Sequence, residues 1–158
     1  SSPPPAVRTG VTEAPAFEGM SKEHLEFIAG CAQNRTFEAG SYLLREGDPA
    51  DVFYVIRHGR VALETFVPQE GTMILETIDD GDLLGWSWLV PPYRVAFDAR
   101  AIDTVHTVAF DALCLRGKCD EDPVLGYGLM RRFLPVIMDR LQATRLRLID
   151  IYGNVAAR

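Results

Sequence analysis

The sequence contains no run of eighteen apolar residues, and that absence excludes a membrane-spanning helix. Its richest apolar window, Leu83 to Val90, is broken by Gly85 and closed by Pro91-Pro92. Cysteine is scarce. Cys31, Cys114 and Cys119 make an odd set, whereas small secreted scaffolds carry an even and denser one, so reduced and inert thiols are expected. Three thiols alone cannot assemble a four-thiolate zinc or iron-sulfur site. His24, His58 and His106 are equally sparse and show neither paired helical spacing nor an adjoining Cys or carboxylate motif, which leaves no metal or haem signature. The chain opens on Ser1, with neither an initiator Met nor a charged-then-apolar leader. Residue 1 is read as a processed end, and a soluble, cytoplasmic protein is expected. Charge of one sign is also limited. With 24% charged residues, a net charge of −6 and 47% hydrophobic residues, the 158-residue chain reads as one compact domain and not as a disordered acidic segment.

Residues 1–19 hold Pro3, Pro4, Pro5 and Pro15 among small residues and are expected to form a flexible or extended lead. Ser21 reads as a helix N-cap before Lys22, aided by the acidic Glu23, with the short helix running to about Ala29 and Gly30 as its stop. From Arg35 to Phe110 the pattern changes to short apolar runs punctuated by Gly40, Gly47, Gly59, Gly71, Gly81 and Gly85, the spacing of an all-β sandwich or barrel. Val52 to Phe66 reads as a hairpin, with His58-Gly59 supplying positive φ at a tight turn. Thr72 to Ile78 predicts another strand. Between Arg94 and Phe110, Val95, Phe97, Ala99, Ala101, Val105, Thr107 and Ala109 alternate, so one strand face enters a core.

After Asp122-Pro123, residues Tyr127, Met130, Leu134, Ile137, Leu141, Thr144, Leu148 and Ile151 recur at steps of three and four. This is a helical stripe, open to two placements: packed on its own barrel, or a seam between two subunits. Pro135 lacks a backbone donor and is expected to kink or divide the segment, leaving a short helix before it and a longer one up to Gly153. The expected organisation is a lead (1–19), one domain (20–153) with its barrel at about 35–112 and terminal helices at about 121–153, and a tail (154–158).

The words Phe37-x-x-Gly40-x-x-Leu43-x-x-Glu46-Gly47-Asp48 and Tyr54-Val55-Ile56-x-x-Gly59-x-Val61, in this order of elements, resemble the cyclic nucleotide-binding domain family. Asp122-Pro123-x-Leu125-Gly126-Tyr127 and the run Arg140 to Leu146 further resemble its stand-alone catabolite activator and fumarate-nitrate regulator members. The resemblance implies a mainly β jelly-roll barrel with an N-terminal helix and a long C-terminal helix. It also implies a phosphate-binding cassette of the form Gly-Glu-Leu-Ala-Leu, a spacer, then Arg-Ser/Thr-Ala. Helix amides and the Arg would hold the cyclic phosphate there, and the Glu the ribose hydroxyl. The matching words are Gly85-Trp86-Ser87-Trp88-Leu89 and, past a short spacer, Arg94-Val95-Ala96. Trp86 replaces the ribose-binding Glu and Val95 the phosphate-binding hydroxyl. Arg94 is either a surface residue at a strand start or a phosphate anchor. Trp86 and Trp88 are either core aromatics or walls of a pocket for a planar ligand.

Other constellations are weaker. Glu76, Asp79, Asp80 and Asp82 around Gly81 lack calcium-loop spacing and read as a solvated turn. Ser87 lacks a nucleophile elbow, because a second glycine is missing. Residues before Val124 carry 10 basic and 20 acidic side chains, net −10, against 6 and 2 from Val124 onward, net +4. A basic helix invites DNA, but the family's DNA readers carry a helix-turn-helix after it and this chain stops at Arg158, so sequence-specific DNA binding is not expected. The sequence therefore predicts a non-enzymatic regulatory module with a ligand site at Gly85, Trp86, Ser87, Trp88, Leu89, Arg94, Val95 and Ala96. The ligand is expected to be a cyclic nucleotide or another small planar molecule. A homodimer through the terminal helix is expected, and a protein partner is compatible with it. The alternative is a ligand-free dimerisation or interaction scaffold that keeps the fold.

Overall fold

A computed structural model describes residues 5–156. Eight antiparallel strands form two four-stranded sheets flanked by helices, the jelly roll expected from the sequence. One sheet has the order β1 (Ala32–Phe37), β8 (Val105–Asp111), β3 (Val52–His58), β6 (Leu83–Leu84). The other runs β2 (Tyr42–Leu44), β7 (Asp98–Ala101), β4 (Val61–Val67), β5 (Gly71–Ile78). The alternating residues read from the sequence, Val95 through Ala109, are all buried.

The stretch Val52 to Phe66 is not a hairpin. β3 pairs with β8 and β6, whereas β4 pairs with β5 and β7, so the connection crosses from one sheet to the other. Gly59 alone takes positive φ there, and a Cβ on it would lie 2.7 Å from the Thr104 carbonyl oxygen. The turn's amides bond to side chains: Gly59 N–H donates to Asp80 Oδ1 (3.0 Å) and Arg60 N–H to Asp103 Oδ1 (2.8 Å). Both strands are continuous buried runs, Phe53 to Ile56 and Val61 to Glu64, as inner strands covered on two faces require. The tight hairpin of the region is β4–β5, closed at Val67↔Gly71.

The expected flexible lead is corrected from Pro5 onward, while Pro3 and Pro4 lie outside the described residues. α1 (Pro5–Thr12) starts on a proline, which suits a first helical position, and a 3-10 turn follows at Pro15–Phe17. Val7, Val11, Ala14 and Phe17 are spaced by four, three and three, and all are buried. Phe17 meets Phe110 edge-to-face at 5.5 Å. In α2 (Lys22–Gly30), the Ser21 hydroxyl accepts from His24 N–H at 3.2 Å, the cap read from the sequence.

α3 (Ala112–Glu121) follows β8 directly and was not anticipated; its cap is Asp111, which accepts from Cys114 N–H. α4 (Pro123–Ala156) then runs as one helix through Pro135 and past Gly153, correcting both the division and the stop expected there. Its barrel-facing residues are Leu125, Leu129 and Phe133, fully buried, with Phe133 edge-on to Phe53 (5.1 Å) and Trp88 (5.5 Å). Much of the stripe read from the sequence is nonetheless exposed. Tyr127, Met130, Leu134, Leu141, Leu148 and Ile151 are exposed, while Ile137 and Thr144 are half-buried. Tyr127 and Met130 border a cleft with Trp88 and Leu89, and Leu141 one with Leu63 and Trp86, so placement on the barrel fails for Leu134, Leu148 and Ile151. Cys31 and Cys114 form a disulfide, correcting the expected thiols, and only Cys119 is free. The bond from Asp111 N–H to Cys31 O (2.8 Å) sets the two segments side by side. Among the described residues no helix is long and apolar enough to cross a membrane.

Candidate functional site: a closed cassette beside an open cleft

Gly85 ends β6 at φ +94, a left-handed conformation that only glycine adopts without strain. The chain then makes a single 3-10 turn, Ser87–Leu89, where the cassette helix is expected. Trp88 is buried and stacks on Phe53 at 4.9 Å, filling the barrel beneath the turn. Arg116 of α3 donates to the Trp88 carbonyl (2.7 Å) and lies over the Tyr93 ring (4.0 Å), tying turn and spacer to that helix.

Downstream, residues 93–95 pair irregularly with 47–50: Ala50 N–H donates to Tyr93 O (2.8 Å), Val95 N–H to Asp48 O and Gly47 N–H to Val95 O (both 2.9 Å). Strand alternation then fixes directions. Val95 is buried, and Arg94 and Ala96 are exposed. Arg94 lines none of the cavities described here and makes no ion pair among the described residues.

Of the sequence-predicted residues, Gly85, Trp86, Ser87, Trp88, Val95 and Ala96 come together around a space of only about 10 Å³. That is room for a single water at most. Leu89 lies on the opposite side, in a cleft of about 370 Å³ with Tyr93, Arg116 and Cys119. Burial, with help from Asp120 and Asp122, pushes the Cys119 thiol up to about 11.

A larger cleft of about 440 Å³, within the range of small-molecule sites, opens between barrel and helix. Its barrel wall is Leu63, Leu75, Trp86 and Phe97; its helix wall is Ile137, Leu141 and Ala143. Trp86 lines both this cleft and the filled cassette. The polar groups are Thr65, Glu76, Arg140 and Thr144. Arg140 donates through Nη1 to Glu76 Oε2 (3.0 Å) and through Nη2 to Leu83 O (3.2 Å), while Thr144 Oγ1 donates to Arg140 O (2.9 Å). Trp86 Nε1 and Arg140 Nε are buried without a partner.

Sequence reasoning missed most of this cleft. Arg140 and Thr144 stand four apart and so share a helix face, which was a usable signal. Glu76 was grouped with the acidic turn; it belongs instead to β5 and reaches across to α4. The remaining acidic residues do form the turn, where Asp82 accepts from Asp79 N–H at 2.9 Å. His58 and His106 are cross-strand neighbours with ring centroids 6.3 Å apart, each engaged elsewhere, His58 with Asp80 (3.5 Å) and His106 with Thr36, while His24 lies apart, 3.0 Å from Asp122. The His24 contact and the Leu125 and Val124 amides hold the Asp122 carboxyl below its usual range, with the Leu125 amide the largest influence.

The family model described as cyclic nucleotide-binding domain matches residues 34–122. A CRP-like cAMP-activated global transcriptional regulator of Mycobacterium tuberculosis is 26% identical over 149 residues, covering 94% of this chain and 65% of that protein. Glutaminase 1 of Bradyrhizobium diazoefficiens is 36% identical over 135 residues, 84% of this chain but only 21% of that enzyme. The chain thus spans less than two thirds of the length of either relative. Among solved structures, a putative cyclic nucleotide-binding protein from Geobacter metallireducens superposes with a TM-score of 0.74 at 26% identity, over 86% of this chain and 96% of that one.

Proposed function

This chain belongs to the cyclic nucleotide-binding domain family, and from that premise we propose that it is a non-enzymatic, ligand-sensing regulatory module whose phosphate-binding cassette has been given up. The ligand enters the cleft between barrel and α4, and the Gly85 to Ala96 segment serves as its wall. Trp86 is the observation that carries this reading. Its indole occupies the ribose-binding position, closes the cassette and lines the open cleft. Signalling is a population shift, in which the ligand bridges barrel and helix and favours one placement of α4.

Two copies pair through the outward stripe of α4, which presents Leu134, Leu148 and Ile151 to solvent. This stripe also favours a second reading, a scaffold that dimerises or binds a protein partner with no ligand. Sequence-specific DNA recognition is not part of either reading. What supports this is how the basic helix spends its arginines: Arg132 on Glu18 O (2.7 Å), Arg140 on Glu76, Arg147 on Ile74 O (3.0 Å).

The test is a thermal-shift screen of cyclic mononucleotides, cyclic dinucleotides, nucleosides and planar metabolites, since a ligand selective for the native state raises its stability. The sensing reading requires at least one stabilising compound whose effect disappears when Ala143→Phe fills the cleft. A silent screen with an intact dimer makes the scaffold the function.

A further inference from the structure

We infer that Cys31 and Cys114 form a reversible redox site, opened by a small dithiol and closed by a small disulfide, that sets how firmly α3 holds the cassette turn; it stands whether or not the α4 cleft senses a ligand. The bond links the C-cap of α2 to the first turn of α3, 83 residues further along the chain. It is within reach of solvent. Cys114 is exposed and Cys31 half-buried, and both line an open cleft of about 560 Å³ with Val52, Ala109 and Phe110, which shares no residue with the α4 cleft. A cleft of this size admits a small thiol. An incoming thiolate bonds to Cys114 Sγ, the S–S bond breaks toward Cys31, and the Cys31 thiolate takes a proton from water. The reductant's second thiolate then attacks its own sulfur in the mixed disulfide and releases Cys114, which is protonated in turn. The dithiol leaves as a cyclic disulfide, so two electrons and two protons have passed to the pair.

The junction keeps its other bonds when the disulfide opens. β1 stays paired with β8 from Ala32↔Phe110 to Phe37↔Val105, Asp111 N–H donates to Cys31 O (2.8 Å), and Ala112 N–H donates to Asp51 O (3.0 Å). A cross-link over so long a loop restrains the unfolded chain most, so opening it lowers stability while the native fold persists. The loss is felt in α3. Arg116, two residues past Cys114, donates to the Trp88 carbonyl (2.7 Å) and lies over the Tyr93 ring (4.0 Å). With Cys114 tied to Cys31, the helix that presents Arg116 is anchored at its first turn. With the thiols apart, Ala112 and Leu115 are the buried residues left to dock α3, so its local opening becomes easier and its grip on Ser87–Leu89 weakens.

The test treats the whole 158-residue chain with dithiothreitol in the absence of denaturant, reading thiols by maleimide labelling and mass spectrometry, and backbone opening by amide hydrogen exchange. Millimolar dithiothreitol is expected to free both thiols within about an hour with circular dichroism unchanged, and glutathione disulfide to close the bond again. Exchange across residues 112–121 and 87–93 is expected to rise at least about tenfold on reduction. Cys114→Ser, which cannot form the bond, is expected to exchange at the fast rate in either buffer. Arg116→Ala is expected to abolish the redox difference at 87–93 and to leave that at 112–121. Three free thiols in the chain purified without reductant, a bond that resists dithiothreitol until denaturant is added, or a chain that unfolds on reduction overturns the redox site. A difference at 87–93 that survives Arg116→Ala is general loosening and overturns the link to the cassette turn, as does exchange that reduction leaves unchanged.

Discussion

An indole at position 86 changes what the neighbouring residues are able to do. With a carboxylate there, Gly85 to Ala96 would offer a ribose contact at the mouth of the barrel. With Trp86 there, and Trp88 stacked on Phe53 beneath it, the space holds about 10 Å³. Phe133 completes this aromatic group from the helix side. Phe133→Ala is expected to cost about 3–5 kcal/mol in chemical denaturation, because the cavity opens between Phe53 and Trp88. A loss below about 1 kcal/mol would mean that α4 is not docked as described. At Cys119 the raised folded pKa, about 11, leaves the thiol neutral near pH 7. A group raised in this way contributes stability below its unfolded pKa near 9 and loses it as pH climbs to 11. Its alkylation rate by iodoacetamide is expected to rise with a midpoint near 11, and a midpoint at 8 to 9 would contradict the burial that causes the shift.

Among the elements, α4 is the one that the proposed signalling would move, and its least regular point is Pro135. The helix continues through it even though a proline removes one i to i−4 hydrogen bond. Pro135→Ala is therefore expected to raise stability, by up to ~3 kcal/mol, with no change of fold by circular dichroism. Destabilisation instead would mean that the proline's shape is required by the packing. The strands show which parts of an element a sequence reveals. Alternation from Val95 to Ala109 is local and was legible, as was the cap at Ser21. The sheet crossing after β3 was not, because a glycine turn reads alike whether its strands pair or part. α1 was hidden by its prolines, although Val7, Val11, Ala14 and Phe17 already had helical spacing.

For the whole molecule, the fold was legible and the site only in part. The ordered glycines and apolar runs specify the jelly roll. The residues from Gly85 to Ala96 could be read as one segment because they are contiguous, and six of the eight line one space. The Glu76–Arg140 pair was not, because 64 residues separate partners that meet only once α4 crosses β5. The stripe on α4 was read correctly as apolar, but its direction depends on which face Leu125, Leu129 and Phe133 commit to the barrel. That direction leaves Leu134, Leu148 and Ile151 available to a second copy. Sedimentation at micromolar concentration is expected to show a dimer that Leu148→Asp converts to monomer. A monomeric native chain would remove the subunit seam.

The surrender of cyclic phosphate binding is tested most directly by calorimetric titration of the native chain with cAMP. On the proposed alignment Trp86 stands in place of the ribose carboxylate and Val95 in place of the phosphate-binding hydroxyl. Each such hydrogen bond to a charged group is worth about 1.5–3 kcal/mol, so affinity should fall by roughly a hundredfold or more relative to an intact cassette. The account predicts dissociation constants no tighter than about 100 μM, insensitive to Arg94→Ala. Binding at about 1 μM or tighter, abolished by Arg94→Ala, would contradict it.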